Sequence, residues 1–247
     1  MKKLTVKRKV TSEPEQIQVE SEQTESAKLK PYQTAFGRYA SMMPIAENAA
    51  TVKWAMDNYP MGRTNIFGIV IHHTDGNSID SARKVLAAKK ESTNIIIDEH
   101  GGAYIEMPLY KTAAACVGYN KWMIQIDVVG RLSINPPTEA QLKSLCNVVK
   151  LLACGRKIVA VDPQLAAKTR KANKTESAKL TEAAYSKDYS KARAIAEKEG
   201  CWKKALPELP FIVTWHGEVR PTECCGTKFI PILKKLIENG FNYGGLQ

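Results

Sequence analysis

The chain has 247 residues, 44% of them hydrophobic, and a formal net charge of +11. That is apolar material enough for a real core in one or two domains, while no apolar run approaches the roughly 18–20 residues that a membrane-spanning helix needs. The charge favours an anionic partner, and six cysteines over this length exclude a dense disulfide framework.

Residues 1–31 are polar, rich in Lys, Glu, Gln and Ser, and predict a disordered tail that cannot offset its ordering entropy. The basic opening Met1–Val10 is followed by Thr-Ser-Glu-Pro-Glu-Gln rather than an apolar stretch. No secretory signal is expected from it, and synthesis in the cytoplasm is. Residues 32–247 then read as a single domain. Ile45, Ala49, Val52 and Trp54 space a helix that ends near the turn Asn58-Tyr-Pro-Met-Gly62. Ile66-Phe-Gly-Ile-Val-Ile71 is a short β-branched block typical of a buried central strand. It delivers His72 and His73 to the strand's carboxyl end, where open α/β sheets place their sites.

Asp80 to Lys90 has helical periodicity. Asn94-Ile-Ile-Ile-Asp98 and Ala103-Tyr-Ile-Glu106, joined by Glu99-His-Gly-Gly102, predict a hairpin, with His100 exposed in its turn. Trp122 to Val129 predicts a strand, with Ile124, Ile126 and Val128 on one face and Gln125, Asp127 and Val129 on the other. Thr138 and Gln141 have the spacing of a capping box, and Leu142, Leu145, Val149 and Leu152 continue that helix's apolar face. Cys146 and Cys154 fall in this pattern as small buried hydrophobes.

Residues 162–206 are rich in Ala, Lys and Glu, with cations outnumbering acids. They read as one or two exposed basic helices inserted into the domain. Leu209 to Trp215 restores a buried strand that ends at His216, and a last helix from Lys228 to Asn239 is closed by Gly240. The order describes one α/β domain, a mixed central sheet flanked by helices with a basic helical insertion.

His216 precedes Cys224 by eight residues, and both lie far downstream of His72. Two imidazoles and a thiolate form a natural donor set for zinc, and three protein ligands rather than four leave the open position of a catalytic site.

Four blocks stand in order: Ile69-Val-Ile-His72-His73-Thr74; Thr93-Asn94-Ile-Ile-Ile-Asp98-Glu-His-Gly101; Gly118-Tyr-Asn120 with Ile124-Gln-Ile-Asp127-Val-Val-Gly130; and His216-Gly-Glu-Val-Arg-Pro-Thr222-Glu-Cys224. Together they resemble the zinc-dependent N-acetylmuramoyl-L-alanine amidases that include phage endolysins and peptidoglycan recognition proteins. The resemblance covers about residues 66–154 and 209–239. It implies a zinc site of His72, His216 and Cys224, with Asp127 as general base or water-orienting group and Thr222 as donor to the carbonyl oxygen. It further implies substrate contact by Thr93, Asn94 and His73, although His73 alternates to the face opposite His72. The chain departs from the family pattern at several places. Thr93 stands where many relatives have Tyr, and Thr222 where phage members often have Lys. Ala115 or Cys116 replaces a His, Cys225 replaces the Pro of a Cys-Pro-Gly loop, and Asp127 replaces the longer Glu of one sub-branch.

The resemblance implies an enzyme that cuts bacterial peptidoglycan, as an endolysin after holin-type release or as a virion component. The second reading is a wall-binding or virion structural protein that keeps the fold without turnover. The basic insertion offers a surface to a virion or host protein. A nucleic-acid partner is disfavoured, since the insertion lacks the interleaved aromatics of a stacking platform.

Overall fold

A computed structural model describes residues 32–33, 39–40, 66–109, 111–153, 155–199 and 209–246, all within one unit spanning Pro31–Gln247. The expected tail at 1–31 and the helix expected at 45–58 lie outside the described residues. Two short strands, β1 (Tyr32–Gln33) and β2 (Tyr39–Ala40), pair antiparallel with each other.

The main sheet contains β3 (Gly68–His73), β4 (Ile95–Ile97), β5 (Ala103–Ile105), β6 (Met123–Val128), β7 (Ile158–Ala160) and β8 (Phe211–Trp215). Its strand order is β5-β4-β6-β3-β8-β7, with β5 antiparallel to β4 and every other pair parallel. The sheet is mixed, as the pattern of strands and helices implies. Strand β7 has no counterpart in the sequence reading: it is three residues long, its side chains are half-buried or exposed, and only pairing with β8 defines it.

The helices begin and end where local chemistry allows. Helix α1 (Ile79–Lys89) opens on a reciprocal Ser78–Ser81 capping box and stops at Lys90, which adopts φ 57°. Helix α2 (Glu139–Ala153) follows the capping box read from the sequence: Thr138 N–H donates to Gln141 Oε1 at 3.0 Å and Gln141 N–H to Thr138 Oγ1 at 3.2 Å. Helix α3 (Pro163–Lys171) is capped by Asp162 with Pro163 in the first turn, where a missing N–H costs nothing. Then come α4 (Lys174–Glu199), the short α5 (His216–Val219) and α6 (Ile230–Glu238), the last followed by Gly240 at φ 64°.

On one face of the sheet, Ile69, Ile71, Ile124, Ile126 and Val213 pack with Leu145, Val149 and Leu152 of α2 and Leu233 and Leu236 of α6. On the other face, Phe67, Val70, Met123 and Ile212 pack with Ala166 of α3 and Tyr185, Ala192 and Ala196 of α4. Tyr185 stacks on Phe67 at 5.2 Å between ring centroids and meets Trp122 at 5.9 Å. Over Pro163–Lys171 and Lys174–Glu199 this corrects the reading of 162–206 as fully exposed helices, while residues 200–206 lie outside the described residues. One stripe of α4 (Ser177, Thr181, Tyr185, Ala192, Ala196) is buried, and Thr181 Oγ1 donates to the Gly118 carbonyl at 2.6 Å. The charged residues remain on the outer side of a helix that covers the sheet. At Gly68 a Cβ would overlap the Ile212 carbonyl, so a side chain there would push β3 and β8 apart.

Candidate metal centre

Parallel pairing aligns the carboxyl ends of β6, β3 and β8. His72 is the register partner of Asp127, and Ile71 that of Trp215. The residue after Trp215, His216, therefore emerges beside His72. The chain makes the single turn of α5 and returns through Pro221–Gly226, bringing Cys224 over the same strand ends. Gly217 permits the return: a Cβ there would overlap the Cys224 carbonyl oxygen and stand 2.7 Å from that of Thr222.

One ligand atom from each of His72, His216 and Cys224 lies within 4.8 Å of the other two. The two imidazole centroids are 4.7 Å apart, and His72 Nδ1 is 3.8 Å from Cys224 Sγ. Burial, then the neighbouring His216, hold the His72 pKa down to about 3; burial and then Arg220 hold His216 down to about 4. Both rings are neutral and offer lone pairs. Burial pushes the Cys224 thiol up to about 12, against the pull of the His73 N–H, which donates to Sγ at 3.3 Å. The cluster is three uncharged donors, His72 buried and His216 and Cys224 partly exposed to the cleft. Two nitrogens and one sulfur suit a borderline-soft divalent ion, whose binding would displace the thiol proton.

The cluster forms the floor of a cleft of about 430 Å³, with Asp127, His73 and Thr222 also lining it. Asp127 is 4% exposed. Its carboxyl is pushed up to about 7 by burial, then by Glu91 and Glu106. Glu106 is in turn held by Arg83 in a buried pair, with 2.6 Å between Nη2 and Oε1. Thr222 Oγ1 accepts the Cys224 N–H at 3.3 Å, leaving its own hydrogen to donate. His73 is half-buried at the end of β3, and its Nδ1 accepts the Leu132 N–H at 3.3 Å. Val85, Leu86 and Lys89 of α1 also line the cleft, as do Arg131, Ser133 and Ile134.

Thr93 and Asn94 are not brought to the cleft. Both are buried, at 2% and 0% exposure. Thr93 Oγ1 lies 2.9 Å from the Gln125 carbonyl, and Asn94 Nδ2 donates to the Lys111 carbonyl at 3.0 Å. Their polar atoms are engaged inside the domain. Of the two residues that replace the family's His, Ala115 lines the cleft and Cys116 is buried. The residue that sequence reasoning passed over is Gln125, whose Oε1 sits 2.9 Å from His72 Nε2. Its signal was a polar side chain on the same strand face as Asp127, in an otherwise apolar strand.

A profile of the N-acetylmuramoyl-L-alanine amidase family matches residues 62–185, half of the chain. The chain belongs to that family. The match runs through α3 into α4, which the sequence resemblance left out, and stops before β8. Two of the amidase's three clustered donors thus lie beyond it. The amidase is similar in structure to the N-acetylmuramoyl-L-alanine amidase LysC from Clostridium intestinale URNW, at 18% identity and TM-score 0.43, covering 73% of this chain and 90% of that one. It is similar to Drosophila peptidoglycan recognition protein SA, at 16% identity and TM-score 0.42, covering 70% and 80%. A third similar structure is the Ph2119 endolysin from Thermus scotoductus MAT2119 bacteriophage Ph2119, at 15% identity and TM-score 0.40, covering 73% and 93%. No curated protein sequence matches.

Proposed function

We propose that the amidase is a zinc enzyme that hydrolyses the amide between the lactyl group of N-acetylmuramic acid and L-alanine in bacterial peptidoglycan. The observation that carries this reading is the convergence of His72, His216 and Cys224 within 4.8 Å at the floor of a cleft, in a chain of this family. Zinc held by those three donors would supply a Lewis acid for the scissile carbonyl and lower the pKa of a bound water.

The chain's own residues account for the proton and the charge. Asp127, with a carboxyl pKa of about 7, is suited to accept a proton from attacking water and pass it to the departing amine nitrogen as the C–N bond breaks. Thr222 donates its hydroxyl hydrogen to the carbonyl oxygen as negative charge gathers there. Among the described residues, the exposed large hydrophobic side chains are Val85 and Ile134, and both line this cleft. They offer contacts to the methyl groups of alanine and lactate, while Lys89 and Arg131 beside them can meet a carboxylate of the stem peptide. The biological setting we infer is a phage lysin, reaching the wall after holin-type release or as part of a virion. The basic outer side of α3 and α4 then serves as a surface for a virion or host protein.

The test uses purified peptidoglycan. The wild type is expected to carry about one zinc per chain and to release new L-alanine amino termini. Cys224→Ala is expected to do neither. Retention on the wall without new amino termini would instead support the second reading, a binder that keeps the amidase fold.

A further inference from the structure

Gln125 is fully buried in the middle of β6. A primary amide there is costly unless its polar atoms are matched. Its Nε2 donates to the Met123 carbonyl at 3.2 Å, and its Oε1 faces His72 Nε2 at 2.9 Å. A backbone carbonyl only accepts, so the amide nitrogen must be the atom beside Met123 and the oxygen the atom beside the ring. A ring nitrogen facing an acceptor carries the hydrogen. His72 is therefore the Nε2–H tautomer, with its lone pair on Nδ1, the atom that faces Cys224 Sγ at 3.8 Å.

The backbone of Gln125 is held from β4. Asn94 N–H donates to the Gln125 carbonyl at 3.0 Å, and Thr93 Oγ1 lies 2.9 Å from the same oxygen. In return, Gln125 N–H donates to Asn94 Oδ1 at 3.1 Å. The orientation of the Asn94 amide is set by its Nδ2, which donates to the Lys111 carbonyl. Thr93 and Asn94 thus stand two steps from the donor cluster, acting on Gln125, which acts on His72.

We propose that Gln125 is a positioning residue that holds His72 in the tautomer whose Nδ1 is free to bind a metal, and that Thr93 and Asn94 fix Gln125 for that task. The inference rests on the metal reading above only for what Nδ1 binds; the tautomer is a property of the metal-free chain.

The test has two readouts on metal-free, 15N-labelled protein. The first is the pair of ring-nitrogen shifts of His72 near neutral pH. The wild type is expected as Nε2–H, Gln125→Met as a mixture of tautomers, and Gln125→Glu, which keeps an acceptor at the ring, as Nε2–H again. The second is zinc affinity by competition with a chromophoric chelator, expected to fall about 10–100-fold in Gln125→Met. A wild type in the Nδ1–H form overturns the proposal, and so does a folded Gln125→Met that binds zinc as tightly as the wild type. Should Gln125→Met fail to fold, the wild-type and Gln125→Glu spectra still decide. A wild type that shows Nε2–H but binds no zinc overturns the metal reading, and with it the assigned task of Nδ1, while leaving the amide–ring contact established.

Discussion

Strands β3 and β6 serve two different interiors. Toward α2 and α6 they present Ile69, Ile71, Ile124, Ile126 and Val128, hydrocarbon at all five positions. Toward the opposite side the same strands present Val70, His72, Gln125 and Asp127, all nearly inaccessible to water. The first face contributes folding free energy through burial alone. The second buries polar groups whose desolvation must be offset by specific partners, such as the contact of Gln125 with His72. Period-two alternation therefore places stabilising and chemical residues one position apart, so neighbouring substitutions should fail in different ways.

The largest effect is expected from Cys224→Ala, which removes the thiol donor: zinc content and amide cleavage should both fall to background while the far-UV circular dichroism is unchanged. Next is Asp127→Asn, which should lower kcat about 10²–10⁴-fold with zinc retained. The same substitution carries a pH signature in the metal-free protein. The Asp127 carboxyl is raised to about 7 in the folded state, whereas an unfolded carboxylate ionises near about 4. Between those values the unfolded chain has lost the proton and the native chain keeps it, so wild-type stability should fall as pH rises through the window. Asp127→Asn should flatten that slope in thermal melts, and an unchanged slope would break the contrast between the faces. Ile126→Ala, one residue away, should cost about 2–5 kcal/mol in denaturant unfolding and leave kcat per folded molecule intact. The smallest effect belongs to Ile134→Ala, at a side chain 60% exposed. Stability should hold within about 0.5 kcal/mol, while KM rises by about tenfold or less.

What was legible in the sequence follows the same division. The first face announces itself: β-branched blocks at Ile69–Ile71 and Ile124–Val128, and the Thr138–Gln141 cap ahead of a regular apolar helix, are local patterns that survive into the structure. The three donors were legible from residue type and motif, His72 closing an apolar block and His216 and Cys224 eight residues apart in one loop, although their meeting spans 152 positions. The covering of the second face was not. Helix α4 buries Ser177, Thr181, Ala192 and Ala196, small side chains whose packing depends on a sheet that composition alone does not reveal. That Thr93 and Asn94 turn inward was not legible, because their side chains meet groups remote in the chain, Gln125 at 32 positions from Thr93 and Lys111 at 17 from Asn94. Strand β7 escaped because pairing with β8, rather than any pattern of its own, makes it a strand.

The pairing of β8 with β3, the central strand that ends in His72, has a temporal consequence. Cys224 follows His72 by 152 positions, and at a ribosomal pace of about 5–20 residues per second the donors emerge roughly 8–30 s apart. Until β8 has slotted beside β3, a growing chain exposes the edge of β3 and owns one of its three donors. Capture of an ion by all three donors would therefore wait until β8 and the loop after it have been made. Metal uptake should report completion of the sheet, arriving with the last strand rather than with early collapse.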